Sequence, residues 1–354
     1  DLGVMISASH NPMPDNGIKF FAHGGYKLPD QVEDQIQELL NTPWDRPTGA
    51  AVGEVEYDDD WAEKSYIEHL MTSLGTDLHG LRIAVDCANG GASFLAPEAF
   101  RQAGADAVVI NAAPDGRNIN DKAGSTHPEQ LQALTVASEA DFGVAYDGDA
   151  DRCLAVDRYG NLVDGDKIMG ALAVHMRDEG QLAKDTLVVT VMSNLGLILA
   201  MQEAGIKTIQ TGVGDRYVLE AMLEGGYSLG GEQSGHIIAK KYATTGDGIL
   251  SSLLLARMVK ESGRDLADLT GFIKRLPQTL INVGGVDRSR ANTDPVVAEA
   301  VAAAEAVLGN TGRVLLRPSG TEPLVRVMVE AATQAQADGV ASRLADVVKE
   351  SLSL

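Results

Sequence analysis

Residues 81–91 read LRIAVDCANGG, and their order decides the fold class. Leu81 to Cys87 is a short apolar run of strand length, and the turn Asn89 to Gly91 ends it. A helical stretch then carries the chain to Ala103, and Ala107 to Ile110 supplies the next strand. Strand, turn, helix and strand in this order are the signature of α/β layering. The cycle restarts at Thr186 to Val191 (TLVVTV), with a helix through Leu197 to Ala204. Starts near Leu81, Leu182 and Gln278 divide the chain into segments 1–80, 81–181, 182–277 and 278–354. No literal sequence repeat accompanies the recurrence; what recurs is the element order.

The last segment has a different character. Val296 to Leu308 reads as an Ala-rich helix, and Gly312 to Leu316 and Leu324 to Glu330 read as two strands. A final helix sets Val340, Leu344, Val347 and Val348 on one face, which makes a compact α+β module. Asp45 to Asp60, rich in Gly, Pro and Asp, reads as a surface connection. The chain opens on Asp1 rather than Met and enters at once an apolar run, Leu2 to Ile6, which reads as an interior strand. A piece of a longer chain is therefore expected.

At 354 residues the chain is too long for one ordinary core. Hydrophobic residues make up 44% and charged residues 22%, the balance of a globular chain, and no apolar run reaches bilayer length. Fifty acidic against 29 basic residues give a net charge of −21. That charge argues against nucleic acid or an anionic membrane as partner, since both require a basic face. Any phosphate site must be a local cluster of Arg and Lys set against the field. Cys87 and Cys153 lie in strand-like apolar runs and read as buried reduced thiols of a cytoplasmic protein.

Four loops carry chemistry. Ser7 to Pro12 (SASHNP) brings a hydroxyl, an imidazole and a rigid Asn-Pro turn to one point, followed by DNGIKFF. Ser9 reads as a phosphoryl acceptor with His10 and Lys19 near it; a capped turn with a solvent His is the plainer alternative. Asp147 to Arg152 (DGDADR) follows the apolar strand Phe142 to Tyr146. Carboxylates at Asp147, Asp149 and Asp151 repel one another unless a hard cation lies between them. An EF-hand is disfavoured, because Arg152 stands where Gly is required and Arg158 where Glu is required. Three carboxylates suit magnesium completed by a phosphate oxygen, with Arg152 as a planar fork for that phosphate.

The third loop, Gly230 to His236 (GGEQSGH), presents Glu232 and Ser234 one residue apart, a spacing that suits two neighbouring sugar hydroxyls. It is no GxSxG nucleophile elbow, since Glu232 takes the place of the first glycine. The fourth, Arg317 to Arg326 (RPSGTEPLVR), gathers Arg317, Ser319, Gly320, Thr321 and Arg326 into a nest of donors fit for an anion. Simple turns are the alternatives for both. A nucleophile, a metal, a hydroxyl reader and a phosphate clamp are together the parts of phosphoryl transfer.

In this order, GVMISASHNP, DGDADR, GGEQSGHII and RPSGTEPLVRVMVEA resemble the α-D-phosphohexomutase superfamily over essentially the whole chain. The resemblance implies three related α/β domains, the first N-terminally incomplete, plus a smaller C-terminal α+β domain around a central cleft. It implies that phosphorylated Ser9 joins Asp147, Asp149 and Asp151 on one Mg2+. It further implies that the phosphate passes to the 1- or 6-oxygen of a hexosamine monophosphate through a bisphosphate. Ser9 would be primed by a hexosamine bisphosphate or by autophosphorylation, and the product would feed UDP-N-acetylglucosamine and cell-wall precursor synthesis. Lys19 and His236 become candidate proton-transfer groups and Arg216, in TGVGDRYV, a substrate contact. A cytoplasmic location follows, with room for a homodimer. The family's GTDGVRG-like segment ahead of the serine loop is not in this chain.

Rival readings are a mannose or glucose phosphate mutase, a haloacid-dehalogenase-type phosphatase using Asp147 as nucleophile and Asp149 as acid, and a sugar-phosphate binding module or inactive fragment. GGEQSGH and VGDRYV favour glucosamine phosphate.

Overall fold

The computed structural model describes residues 2–57, 59–319 and 322–354. The chain forms two compact units, one comprising the chain up to Ser193 with Met201–Phe272, the other Asn194–Ala200 with Ile273–Leu354.

The stretch LRIAVDCANGG folds as read. Arg82–Asp86 is a strand and Ala92–Gln102 a helix, with a turn between them. That strand is the middle of three parallel strands, flanked by Asp106–Ile110 and Phe142–Tyr146. Cys153–Asp157 and Leu162–Val163 extend the sheet antiparallel to five strands. Phe142–Tyr146 is buried along its whole length, which is why its sequence, FGVAY, shows no polar alternation. A second sheet in the same unit runs Ile237–Ala239, Leu229–Gly231, Thr186–Thr190, Lys207–Thr211, its last three strands parallel. In open α/β sheets ligands sit beyond the carboxyl ends of the strands. Here those ends release Cys87 to Gly91, the run after Ile110, and the Asp147 loop.

Both cysteines are buried and free. Burial, with Asp86 beside it, pushes the Cys87 thiol up to about 12, and burial raises Cys153 beyond that.

Leu2–Ser7 folds as a strand, pairing antiparallel with Gly17–Ala22 in a two-stranded ribbon. Within the described residues Leu2 of this strand is 56% and Ile6 79% exposed. Among the described residues it has one strand neighbour, and a two-stranded ribbon cannot cover both its faces.

The second unit holds the antiparallel sheet Gln278–Gly284, Leu324–Glu330, Arg313–Pro318 under the helices Pro295–Leu308 and Gln334–Ser351. Val340, Leu344 and Val348 are buried against Val325, Val327 and Val329. The reading of two strands missed Gln278–Gly284, whose QTLINVG buries a single residue and is weakly patterned. Fully buried Glu330 anchors the unit: it accepts from Arg313 Nε at 2.7 Å, Asn194 Nδ2 at 3.0 Å and the Leu195 amide at 2.9 Å. No helix among the described residues is long and apolar enough to cross a membrane.

Gly124 lies at φ +72°, and a Cβ there would stand 2.3 Å from the Tyr146 carbonyl oxygen. Gly124→Ala is expected to cost about 2–4 kcal/mol by adding a clash to left-handed strain. Gly80→Ala, at φ +89° with open space around it, should cost about half as much. Urea unfolding of the two variants checks the difference, and equal losses would contradict the packing argument.

Candidate active site

Asp147 begins where its buried strand ends, so the DGDADR loop leaves the sheet already desolvated. One carboxylate oxygen from each of Asp147, Asp149 and Asp151 lies within 4.8 Å of the other two. Lys19 Nζ donates to Asp149 Oδ2 at 2.6 Å and to Asp151 Oδ2 at 3.1 Å, and Ser7 Oγ donates to Asp149 Oδ2 at 2.7 Å. The Arg152 amide donates to Asp147 Oδ1 at 3.2 Å, while its guanidinium Nε stands 3.8 Å from Asp147 Oδ2. One oxygen of each carboxylate, Asp147 Oδ2, Asp149 Oδ1 and Asp151 Oδ1, remains buried with no hydrogen-bond partner. Three clustered carboxyl groups, each with a buried oxygen left without a partner, are the donor set that a hard divalent cation takes.

Burial first, then Asp151 and Asp149, drive the Asp147 carboxyl up to about 8. Burial also opposes ionisation of Asp149, but hydrogen bonds from Lys19 and Ser7 outweigh it and hold that carboxyl below its usual range. Burial works against charge on Lys19 as well, yet Asp151 and Asp149 keep its ammonium above the ordinary value. Burial and then Arg152 lower the His10 imidazole.

Ser9 is tied to this loop through its backbone. Its carbonyl accepts from the Gly148 amide at 3.1 Å, and its own amide donates to Ser7 Oγ at 2.8 Å. Its Oγ lies 3.2 Å from His10 Nδ1. Ser9 sits at φ +50°, a left-handed backbone that costs a serine about 1–2 kcal/mol. Gly148 must be glycine, since a Cβ there would stand 2.5 Å from the Ser9 carbonyl oxygen.

GGEQSGH is stapled to the aspartate loop by an antiparallel bridge between Arg152 and His236 and by the Cys153 amide donating to the Gly235 carbonyl at 3.0 Å. His236 is 3% exposed, with Nε2 3.9 Å from Asp151 Oδ2 and 3.5 Å from Asp215 Oδ2. Glu232 Oε1 accepts from the Gly214 amide at 3.1 Å, and Ser234 Oγ is buried without a partner. Arg216 Nη2 donates to the Leu28 carbonyl at 2.6 Å and to Glu33 at 3.2 Å.

The fourth loop lies in the second unit. Arg317 and Arg326 stand opposite each other in the sheet register, a like-charge pairing that favours an anion between or above them. Arg326 Nη2 reaches Glu322 Oε2 at 3.1 Å, and its Nε is buried without a partner. Ser319 is buried, its Oγ accepting from the Glu322 amide at 3.2 Å, while Arg288 holds the Ser319 carbonyl. Gly320 and Thr321 lie outside the described residues.

The structure therefore brings Ser9, His10, Lys19, the three aspartates, Arg152, Glu232, Ser234 and His236 into one connected network in the first unit. Sequence reasoning passed over four members. Ser7 holds both Ser9 and Asp149, and Asn120 donates to the Ser9 carbonyl at 2.8 Å. Asp215 faces His236 and is paired with Lys27. Burial opposes ionisation of Asp215, but His236 and Lys27 keep its carboxyl low. Asp215 stands beside Arg216 in GVGDRYV and could have been found there; Lys27 and Asn120 carry no local signal.

Buried paired carboxylates beside a strained serine, on α/β sheets, place the chain among enzymes that move phosphoryl groups. Models of phosphoglucomutase/phosphomannomutase α/β/α domains I, II and III match residues 1–45, 64–160 and 164–276, and the C-terminal domain matches 280–347. The chain belongs to the phosphoglucomutase/phosphomannomutase family. Phosphoglucosamine mutase of Bifidobacterium longum subsp. infantis is 61% identical over 100% of this chain and 79% of its own length. That of Streptomyces coelicolor is 58% identical over 99% of this chain and 79% of its own. Among solved structures, Aspergillus fumigatus N-acetylphosphoglucosamine mutase in complex with GlcNAc-6P and magnesium superposes with TM-score 0.77, at 21% identity over 99% of this chain and 89% of that one. A phosphoglucomutase/phosphomannomutase family protein from Burkholderia thailandensis gives 0.79, at 24% identity over 99% and 76%.

The raised Asp147 pKa sets a pH dependence. Between its unfolded value and about 8 the folded state binds more protons than the unfolded one, so stability falls as pH rises through that window. The chelator-treated protein should lose urea resistance from about pH 5 to 8, and MgCl2 or Asp147→Asn should flatten the slope. An unchanged slope in Asp147→Asn would contradict the assignment.

Proposed function

We propose that this chain interconverts glucosamine 6-phosphate and glucosamine 1-phosphate, with Ser9 carrying the phosphate. The observation that carries the reading is the aspartate loop: three unsatisfied carboxylate oxygens, linked through the Gly148 amide to the Ser9 carbonyl. Asp147, Asp149 and Asp151 would hold magnesium, which when bound supplies charge neutralisation for a transferring phosphate.

The protein's own groups do the rest. Arg152 offers a charged fork beside the aspartates. His236, facing Asp215, would take the sugar hydroxyl's proton, and Lys19, an ammonium bonded to Asp149 and Asp151, would act as a proton donor. His10, its pKa lowered, orients the Ser9 hydroxyl as a hydrogen-bond partner. Glu232 and Ser234 read sugar hydroxyls, Arg216 contacts substrate, and Arg317, Ser319, Gly320, Thr321 and Arg326 clamp the phosphate that is not being transferred. Phosphoserine gives its phosphate to the free 1- or 6-oxygen, and the bisphosphate returns its other phosphate to Ser9. Glucosamine specificity rests on the relatives at 58–61% identity. The proposal includes the domain limits 1–80, 81–181, 182–277 and 278–354, a cytoplasmic location and a compatible homodimer.

Intact-mass measurement should find one phosphate, on Ser9, discharged by glucosamine 6-phosphate. Ser9→Ala should lose turnover to the detection floor; retained phosphate release to water would favour the phosphatase chemistry instead. Preference for mannose or glucose phosphate would overturn the sugar assignment. Arg317→Ala and Arg326→Ala should each raise KM about 10–100-fold, the worth of a charge-assisted phosphate contact, with Ser9 still phosphorylated.

A further inference from the structure

Asn120 lies outside the four loops, in the run that follows the strand Asp106–Ile110, yet it is 5% exposed and aimed at the nucleophile. Its Nδ2 donates to the Ser9 carbonyl at 2.8 Å and to the Asn11 carbonyl at 2.8 Å, so one amide group spans the serine turn. Its own amide donates to the Ala88 carbonyl at 2.9 Å, which fixes it to the turn after the central strand. It adopts φ +56°, a conformation asparagine tolerates better than most residues.

The Ser9 carbonyl thus receives two donors from two separate loops, Asn120 and the Gly148 amide. A serine at φ +50° persists only where its surroundings over-determine it. Rotation of that backbone toward ordinary φ would break both bonds and move Oγ from its present position beside His10. Displacements of about 1 Å at a reacting centre cost on the order of 100-fold in rate.

We propose that Asn120 is a positioning residue that holds Ser9 in its left-handed conformation and so aims the phosphoryl-carrying hydroxyl. The inference rests on the mutase reading of Ser9. Three variants separate its parts. Asn120→Gly keeps easy access to positive φ but removes the donor. Asn120→Asp keeps the shape and sets an oxygen against two carbonyls. Asn120→Ala removes both donor and conformational tolerance.

The decisive measurement is single-turnover discharge of phospho-Ser9 by saturating glucosamine 6-phosphate, with steady-state KM alongside. Asn120→Gly and Asn120→Asp should slow discharge about 30–300-fold while KM stays within about threefold. Wild-type discharge in Asn120→Gly, or kcat and KM changing only with loss of folded protein, overturns the proposal. Amide hydrogen exchange supplies an independent arm: Ser9 to Asn11 should lose protection in Asn120→Gly, and unchanged protection also overturns it. A wild-type protein whose Ser9 never exchanges phosphate sinks the mutase reading instead, and the exchange arm still decides the role of Asn120.

Discussion

Mutual repulsion among Asp147, Asp149 and Asp151 is the constraint around which the first unit is arranged. Three carboxylates within 4.8 Å, at the end of a fully buried strand, would not stay ionised together without compensation. Lys19 and Ser7 satisfy Asp149, and Arg152 stands beside Asp147. What remains without a hydrogen-bond partner is one buried oxygen on each carboxylate. A divalent cation held by these three oxygens would remove that cost and supply the charge neutralisation that phosphoryl transfer requires.

The neighbouring elements follow from the need to approach this loop closely. Glycines stand where backbones meet: a Cβ on Gly248 would lie 2.3 Å from the Arg152 carbonyl oxygen, and one on Gly246 2.5 Å from the His236 ring. The Gly248 amide donates to the Ala150 carbonyl at 2.8 Å, so the helix Gly248–Ser262 begins on the aspartate loop itself. Its N-cap Asp247 also accepts the Tyr66 hydroxyl at 2.9 Å, which ties in the helix Asp59–Leu74. A loop held by so many backbone contacts is preorganised, the condition that electrostatic catalysis favours.

Chemistry on the second unit is of another kind. Arg317 and Arg326 face each other across a strand pair, and Arg288 pins the Ser319 carbonyl from a neighbouring turn. Positive charge is concentrated locally in a chain of net charge −21, the arrangement an anion clamp needs when the overall field is repulsive.

Sequence alone determined the element order and the four reactive loops, because both are written in local patterns. A buried parallel strand must be an apolar run, and a cation loop must crowd carboxylates at short spacing. Strands such as Phe142–Tyr146 and helices such as Pro295–Leu308 were therefore legible, and the clustering of the three aspartates could be expected from their spacing. Tertiary structure alone decided that Gln278–Gly284 completes the last sheet, and that Ser7, Lys27, Asp215 and Asn120 join the candidate site. Lys27 lies 188 residues from Asp215, and Asn120 lies 111 residues from Ser9. No periodicity spans such separations. They are set by which strands pair and where the connecting loops return, so a polar side chain in an ordinary turn becomes part of the site only when the sheets bring it there.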